Sequence, residues 1–247
     1  MGYPSLEQQI FLKIEEGQPE EAVNLARQQL RNQPGTIEQL ANALVAAGSG
    51  ELAVKLLTEL MADKAYSGYY LKWLVKYYRQ DHPEVALEWQ RRDFEHCPAL
   101  RSFQELRLLG EQLGAWPDVR SEAVEIAGRN KNAGLLVEIA LDEGDVARAL
   151  ELLPQVAPAR SYRREVAEAA EAKYPREAIK LYQEMAETAI AEKQRKGYAY
   201  AARLLRRMKE LHERLGDSAG WTTNYSALKN RYANLPALQD ELRKAAL

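Results

Sequence analysis

Apolar residues return every three or four positions along nearly the whole chain, which is the spacing of one face of a helix. Leu6, Ile10 and Ile14, with Phe11 beside them, predict a helix over residues 5–16 with Ser5 as its N-cap. Gly17 ends it, because glycine takes the left-handed conformation at little cost, and Pro19 opens the next helix, where its missing N–H is not needed. That helix carries Ala22, Val23, Leu25, Ala26 and Leu30 and stops before Pro34. Thr36 is the expected cap of a helix bearing Ile37, Leu40, Ala41 and Leu44, broken at Gly48-Ser49-Gly50. Leu52, Val54, Leu56, Leu57 and Leu60 continue the series. No segment alternates with the two-residue period of a strand, so the chain reads as all-α.

Within this pattern a smaller figure recurs: a turn glycine, a helix start, and an alanine five positions after the glycine. Gly17 with Ala22, Gly48 with Ala53 and Gly144 with Ala149 follow it, and Asp81 with Ala86 and Tyr174 with Ala178 are weaker copies. Ala22 to Ala53 spans 31 residues, Ala53 to Ala86 spans 33, and Ala149 to Ala178 spans 29. These periods lie near the 34 of tetratricopeptide repeats. A small residue early in the second helix of a pair lets the two helices approach closely. The ladders this register predicts are Ile37, Leu40, Ala41, Leu44 before Ala53, then Tyr70, Trp73, Leu74, Tyr77 before Ala86, then Ala133, Leu136, Val137, Ala140 before Ala149. The ladder before Ala178 is imperfect (Tyr162, Glu165, Val166, Ala169), and the one before Ala22 is shifted. The expected architecture is an α-solenoid of tetratricopeptide-like helix-turn-helix repeats over residues 1–183, with a C-terminal helical cap over 184–247 continuous with it.

Residues 98–128 are the least regular. Pro98 ends a helix, Phe103, Leu106, Leu109 and Leu113 form the next face, and Gly114-Ala-Trp-Pro117 is a turn. Ala123 lies nine residues after Gly114, so there the repeat reads as lengthened or its turn as wider. Pro154 and Pro158 bracket a linker, a helix follows over about 162–173, and Pro175 opens another. The next is strongly amphipathic from Tyr198 to Leu215, fused to its predecessor or broken near Gly197, and is closed by Gly216. Trp221, Tyr225, Leu228 and Tyr232 form one more face, and Pro236 opens the last helix.

Composition narrows the function. A formal net charge of −2 gives the molecule no bulk attraction for nucleic acid or an anionic membrane. The single cysteine, Cys97, excludes an internal disulfide and a cysteine-rich zinc site. There is no apolar run of membrane-spanning length, and the first residues lack the basic and apolar regions of a signal peptide, so a cytoplasmic protein is expected. Met1-Gly2 reads as a cloning remnant before an excised domain. The three histidines lie far apart in sequence without a nucleophile pattern, and no glycine-rich phosphate loop follows a strand, so a non-catalytic protein without cofactor or metal is expected.

Two surfaces remain as binding candidates. In the tetratricopeptide geometry the first helix of each pair lines a concave face. The register puts Glu38 and Asn42 there before Ala53, Leu71, Val75, Tyr78 and Arg79 before Ala86, Lys131 and Glu138 before Ala149, and Arg160 and Arg163 before Ala178. Arginines that clamp carboxylates, and a tyrosine offering rigid contact area, fit an acidic or C-terminal-carboxylate segment of a protein partner. Of the aromatic cluster Tyr66, Tyr69, Tyr70, Trp73, Tyr77 and Tyr78, the register assigns Tyr70, Trp73 and Tyr77 to the core and leaves Tyr78 for binding. The alternative is nucleic acid on the basic stripe of residues 195–214, which includes Arg195, Lys196, Arg203, Arg206 and Arg207. No aromatics interleave with that stripe as a single-strand binder requires, and the plainer reading is a solvated face whose cations pair with nearby carboxylates.

The segments Glu177-Ala-Ile-Lys-Leu-Tyr, Tyr198-x-x-Ala-Ala-Arg-Leu-Leu-Arg-Arg-Met-Lys-Glu-Leu, Leu215-Gly…Trp221 and Leu228-Lys-Asn-Arg-Tyr…Pro236-Ala-Leu resemble the C-terminal part of bacterial SWIM zinc-finger family proteins, and the Gly144 and Gly17 turns are similar too. In that family a tetratricopeptide-like array follows an N-terminal zinc module. The family's Cys-x-Cys…Cys-x-His signature is absent here, so no zinc ligand carries over to this chain. The resemblance implies the helical region alone, acting in protein–protein interaction within a DNA-associated complex.

Overall fold

The computed structural model describes residues 5–30, 33–61, 67–156 and 160–247, with the side chains of Ser67, Arg160 and Ser161 outside the description. Among the described residues the chain is all-helical, with no strand. In order the helices are α1 (Leu6–Glu15), α2 (Pro19–Gln29), α3 (Pro34–Ala46), α4 (Gly50–Leu60), α5 (Ser67–Tyr78), α6 (Pro83–His96), α7 (Leu100–Gln112) and α8 (Trp116–Arg129). Then come α9 (Ala133–Asp142), α10 (Val146–Leu152), a 3-10 turn (Leu153–Gln155), α11 (Arg160–Ala170), α12 (Pro175–Ala191), α13 (Arg195–Arg214), α14 (Ser218–Arg231) and α15 (Pro236–Lys244). The chain forms two compact units, Met1–Arg129 and Asn130–Leu247. Position 183/184 lies inside α12.

The turns are built as the glycine spacing predicts. Gly17, Gly48, Gly114, Gly144 and Gly216 all have φ between 66° and 76°. At each, the next residue's N–H reaches back to a carbonyl five residues earlier: Gln18 to Lys13, Ser49 to Leu44, Ala115 to Gly110, Asp145 to Ala140 and Asp217 to His212, at 2.8–2.9 Å. This Schellman closure satisfies helix-end carbonyls and needs a left-handed residue that glycine supplies without strain. Ser5 caps α1, accepting from the Gln8 N–H while Gln8 returns a bond to the Ser5 N–H. Thr36 is not a cap. α3 begins two residues earlier at Pro34, whose fixed φ suits a first turn, and the Thr36 hydroxyl meets Glu7 and Gln33 instead.

In the first unit, consecutive helices pack as pairs: α1 on α2, α3 on α4, α5 on α6, α7 on α8. The odd-numbered helices also touch each other (α1 with α3, α3 with α5), as do the even-numbered ones (α2 with α4, α6 with α8). Ala22, Ala53 and Ala86 are completely buried, and so are Ile37, Leu40, Ala41 and Leu44 of the ladder before Ala53. Each fully buried leucine or isoleucine contributes about 1.5–3 kcal/mol over its exposed state. Tyr70, Trp73 and Leu74 are buried and Tyr77 is half-buried against the same core. Ion pairs link the even helices: Arg27 with Glu59 across α2 and α4, and Arg91 with Glu122 at 2.9 Å across α6 and α8. Both arginines stand five residues after their pair's buried alanine.

The region read as lengthened is not. The Gly114 turn has the same closure as the others, and five residues after it stands Val119, only 1% exposed. Valine fills the slot that alanine holds elsewhere. Gly110 on α7 makes room close by: a Cβ there would meet the Trp116 backbone at 3.2 Å. Leu71 and Val75 are buried rather than lining an open face.

In the second unit α9 packs on α10 and α11, α11 on α12, and the 20-residue α13 on α12, α14 and α15. Ala149 and Ala178 are completely buried. The ladder before Ala178 is rotated. Val166, Ala167 and Ala170 are the buried positions of α11, while Glu165 and Ala169 are exposed. In the ladder before Ala149, Val137 and Ala140 are buried and Ala133 and Leu136 half-buried. Pro154 lies in the 3-10 turn, and Pro158 lies outside the described residues. The break before α13 falls at Lys193, whose φ is 53°, not at Gly197. Gly197 instead permits contact: a Cβ there would lie 2.4 Å from the Ala189 carbonyl oxygen of α12.

One buried charge lies outside these seams. Asp93 on α6 is 6% exposed, beside Gln90, whose amide donates to the Ser102 carbonyl of α7 at 3.4 Å. Burial pushes the Asp93 carboxyl above its ordinary range, against the opposing pull of Lys72, Gln90 and His96. An acid with a raised folded-state pKa holds its proton more tightly when folded, so the charged form costs stability above that pKa. Asp93→Asn is therefore expected to raise the denaturation midpoint at pH 7, with the gain shrinking toward pH 4. A gain independent of pH would mean that the charge is not the cause.

Candidate functional site

Of the groove positions that the register assigns in the first unit, Glu38 and Asn42 lie on α3, Tyr78 ends α5 and Arg79 follows it in the turn, and most are already engaged. Glu38 is exposed on α3. The Asn42 side-chain oxygen accepts from the Trp73 indole N–H at 2.9 Å, tying α3 to α5. Trp73 stacks on Tyr77 with ring centroids 5.1 Å apart. Tyr78 is half-buried, its ring edge-on to Tyr77 at 4.9 Å, and burial raises its hydroxyl pKa, with Tyr77 and Glu51 adding to the effect. Arg79 donates to Glu105 of α7. Tyr69 is 64% exposed, and Tyr66 lies outside the described residues.

The second unit repeats the arrangement. Lys131 occupies the left-handed turn before α9, at φ 51°, and is exposed. Glu138 accepts from the Tyr162 hydroxyl of α11 at 3.0 Å. Arg163 is paired with Glu184 of α12. Arg160 opens α11, and its side chain is outside the described residues. Asn42 and Glu138 share a register: each stands eleven residues before its pair's buried alanine, and each takes a hydrogen bond from an aromatic side chain of the next odd-numbered helix. These polar positions thus fasten one helix pair to the next. Arg79 and Arg163 each face a carboxylate of their own chain, which an acidic partner would have to displace.

What the register missed is apolar. The exposed large hydrophobic side chains of the first unit, among the described residues, are Leu12, Val45, Tyr69, Leu108 and Leu113. They fall on α1, α3, α5, α7 and the C-cap of α7. None is on an even-numbered helix. Leu108, 56% exposed, stands eleven residues before Val119, the same slot that Asn42 holds before Ala53. Val45, 37% exposed, shares the slot of Tyr78, eight residues before the buried alanine. Counting five from Gly114 would have found Leu108, but the larger valine in the small-residue slot concealed it.

Compared with known protein families the chain matches no family model, and no curated protein matches it either.

The basic stripe of α13 divides into two sets. Arg195 reaches Asp240 and Glu241 of α15 at 2.9 and 3.2 Å. Arg207 donates to Glu171 at 2.8 Å, on the same carboxylate oxygen that accepts from the buried Tyr182 hydroxyl at 2.6 Å. Burial and this carboxylate hold the tyrosine pKa far above its usual value. Arg214 donates to the Glu171 carbonyl at 2.6 Å. These arginines bind helices together. Lys196, Arg203 and Arg206 line an open cavity of about 530 Å3 between α13 and α15, with Ala199, Ala202 and Ala245 among its walls and Glu241 and Lys244 on its far side, and of these cations Arg206 also ties α13 to α15. Arg203 lies over the Tyr200 ring at 5.6 Å, and Arg206 donates to the Ala245 carbonyl at 2.8 Å.

The histidines sit apart. His82 and Glu84 approach to 3.6 Å at the surface. His96 precedes the exposed Cys97. His212, 4% exposed, contacts Asp217 at 3.1 Å and the Asn224 amide at 3.5 Å. Asp217 also caps α14 by accepting the Gly220 N–H, a bond that lowers its pKa, with His212 adding to the shift. The pair has the look of a general-base assembly, but its third member is an amide rather than a nucleophile. Among the described residues no three His, Cys, Asp or Glu side chains group as metal ligands, and no helix is long and apolar enough to cross a membrane.

Proposed function

We propose that this protein is a non-catalytic interaction scaffold of tetratricopeptide-like helix pairs, which holds a peptide segment of a protein partner against its odd-numbered helices. The observation that carries the reading is the uneven distribution of exposed apolar side chains in the first unit, where Leu12, Val45, Tyr69, Leu108 and Leu113 all belong to the odd-numbered layer. Scattered surface hydrophobes need no explanation, but their confinement to one layer does. Val45 on α3 and Leu108 on α7 offer apolar contact, and the same helices carry Glu38 and Glu105, the latter paired with Arg79. The partner segment is thus apolar on the side that meets Val45 and Leu108, and any acidic groups it carries compete for Arg79 with Glu105. The recurring glycine closure, the buried small residue five positions on, and the side-by-side contacts of alternate helices support the repeat reading. A relation to the helical region of SWIM zinc-finger proteins rests on the sequence segments quoted above and points to the same kind of role. The nucleic-acid alternative has less surface than the sequence promised, because Arg195 and Arg207 are neutralised within the chain.

The test is affinity capture from the native cell extract with wild type and with Val45→Glu/Leu108→Glu. Both positions are exposed, so the variant is expected to keep its helicity and melting point. A stoichiometric partner is expected with wild type and a loss of about tenfold or more with the variant, as for hot-spot contacts. A partner that the double variant retains, and that Lys196→Ala/Arg203→Ala loses, would move the working surface to α13.

A further inference from the structure

Helix α13 opens on two cations. Arg195 and Lys196 occupy its first turn, and the Glu192 carboxylate lies beside that turn, 3.6 Å from where a Cβ on Gly197 would stand. Arg195 is compensated by Asp240 and Glu241. Among the described residues no ion pair joins Lys196 to a carboxylate, and Arg203 and Arg206 meet an aromatic ring and a backbone carbonyl instead. Elsewhere in the same unit, arginines do find carboxylates, as Arg148 with Glu151, Arg163 with Glu184 and Arg231 with Glu187.

The three uncompensated cations share one stripe of α13. Lys196, Ala199, Arg203 and Arg206 follow each other at three- and four-residue steps, so they face the same way. The alanines keep that face low, which leaves the cavity of about 530 Å3 open toward α15. Its one lining carboxylate, Glu241, is held by Lys244 at 3.0 Å and Arg195 at 3.2 Å, and both lower its pKa. Glu241 therefore cancels charge that is not Lys196, Arg203 or Arg206.

We infer that this cavity is a binding site for a phosphate-bearing anion of diphosphate or triphosphate size. Three cations rooted at separate points along a helix suit the several oxygens and multiple charges of phosphate groups, whereas a carboxylate fills only one planar guanidinium fork. The volume falls in the range of small-ligand sites, roughly 300–1,000 Å3, and exceeds what a single phosphate fills. A single-stranded nucleic acid is disfavoured because the lining offers alanines and charged groups where bases would need aromatic platforms.

The experiment is calorimetric titration of the full chain with sodium pyrophosphate and sodium tripolyphosphate at low salt, beside inorganic phosphate, citrate and a single-stranded oligonucleotide. Saturable binding of pyrophosphate or tripolyphosphate at one site is expected, tighter than that of phosphate or citrate. Lys196→Ala/Arg203→Ala should weaken it at least about tenfold, the scale of losing charge-assisted bonds. The control Arg148→Ala/Lys180→Ala removes the same charge from exposed positions of the same unit and should leave it unchanged. Circular dichroism melting establishes that both variants are folded, and Arg203→Lys, which keeps the charge, should retain part of the affinity. The inference is overturned by absence of binding at millimolar ligand, by equal loss in the control, or by citrate binding as tightly as tripolyphosphate. Oligonucleotide binding that is lost in the cavity variant, without polyphosphate binding, overturns it in favour of nucleic acid.

Discussion

Gly197→Ala is expected to be among the most damaging single-methyl additions in the second unit, costing about 3 kcal/mol, the upper end of overpacking. The methyl carbon would sit 2.4 Å from the Ala189 carbonyl oxygen, and that atom belongs to the backbone of α12, so no side-chain rotation relieves the clash. α12 and α13 would have to separate along a seam that buries Ala186, Ala189 and Ile190 on one helix and Tyr198, Ala201, Ala202 and Leu205 on the other. A drop in melting temperature of roughly 6–12 °C corresponds to that cost in a chain of this size. Gly128→Ala is the internal contrast. Gly128 lies near the C-terminal end of α8, is exposed, and a Cβ there meets nothing within 4 Å. The same chemical change should stabilise by up to about 1 kcal/mol through helix propensity alone. Equal melting temperatures for the two variants would refute the close contact of α12 with α13.

The second large effect is expected at the repeat slots. Ala53 and Ala149 are completely buried and sit among large side chains, Ala53 with Ile37, Leu40, Leu44 and Leu57, Ala149 with Val137, Leu152 and Val166. Leucine at either site adds three carbons at a position with no exposed surface, so the neighbouring helices must give way. Ala53→Leu and Ala149→Leu should each cost roughly 1–3 kcal/mol by denaturant unfolding. Val119→Ala probes the exception. If valine fills that slot well, alanine leaves a gap and destabilises by about 1–2 kcal/mol. Wild-type stability in both leucine variants would show that the register is wrong.

The fold was legible where local chemistry decides it. A glycine five residues before a small apolar residue announces both a left-handed helix end and a close helix crossing, and the turns at Gly17, Gly48 and Gly144 are built that way. The same rule applied to Gly114 was obscured because valine, not alanine, occupies the slot. The rotation of α11, with Ala167 and Ala170 inside and Ala169 outside, was hidden because alanine fits either environment.

The candidate surfaces were legible only as residue types. Arg79 with Glu105 and Arg163 with Glu184 are 26 and 21 residues apart, and which of two neighbouring helices receives such a side chain depends on tertiary placement. The stripe on α13 was visible, but its division into neutralised and uncompensated cations is set by Asp240 and Glu241 on α15, 45 and 46 residues from Arg195. Val45 and Leu108 were passed over because an isolated apolar residue in an amphipathic helix carries no local signal of exposure.

The scaffold reading is tested most directly by placing a photo-crosslinking amino acid in the first unit in the native cell. Positions 45 and 108 probe the odd-numbered layer, while positions 55 and 88, exposed on α4 and α6, probe the even-numbered one. A single protein adduct formed from positions 45 and 108 and absent from 55 and 88 is the predicted result. Adducts from 55 and 88 alone, or no adduct from any of the four, would contradict the account.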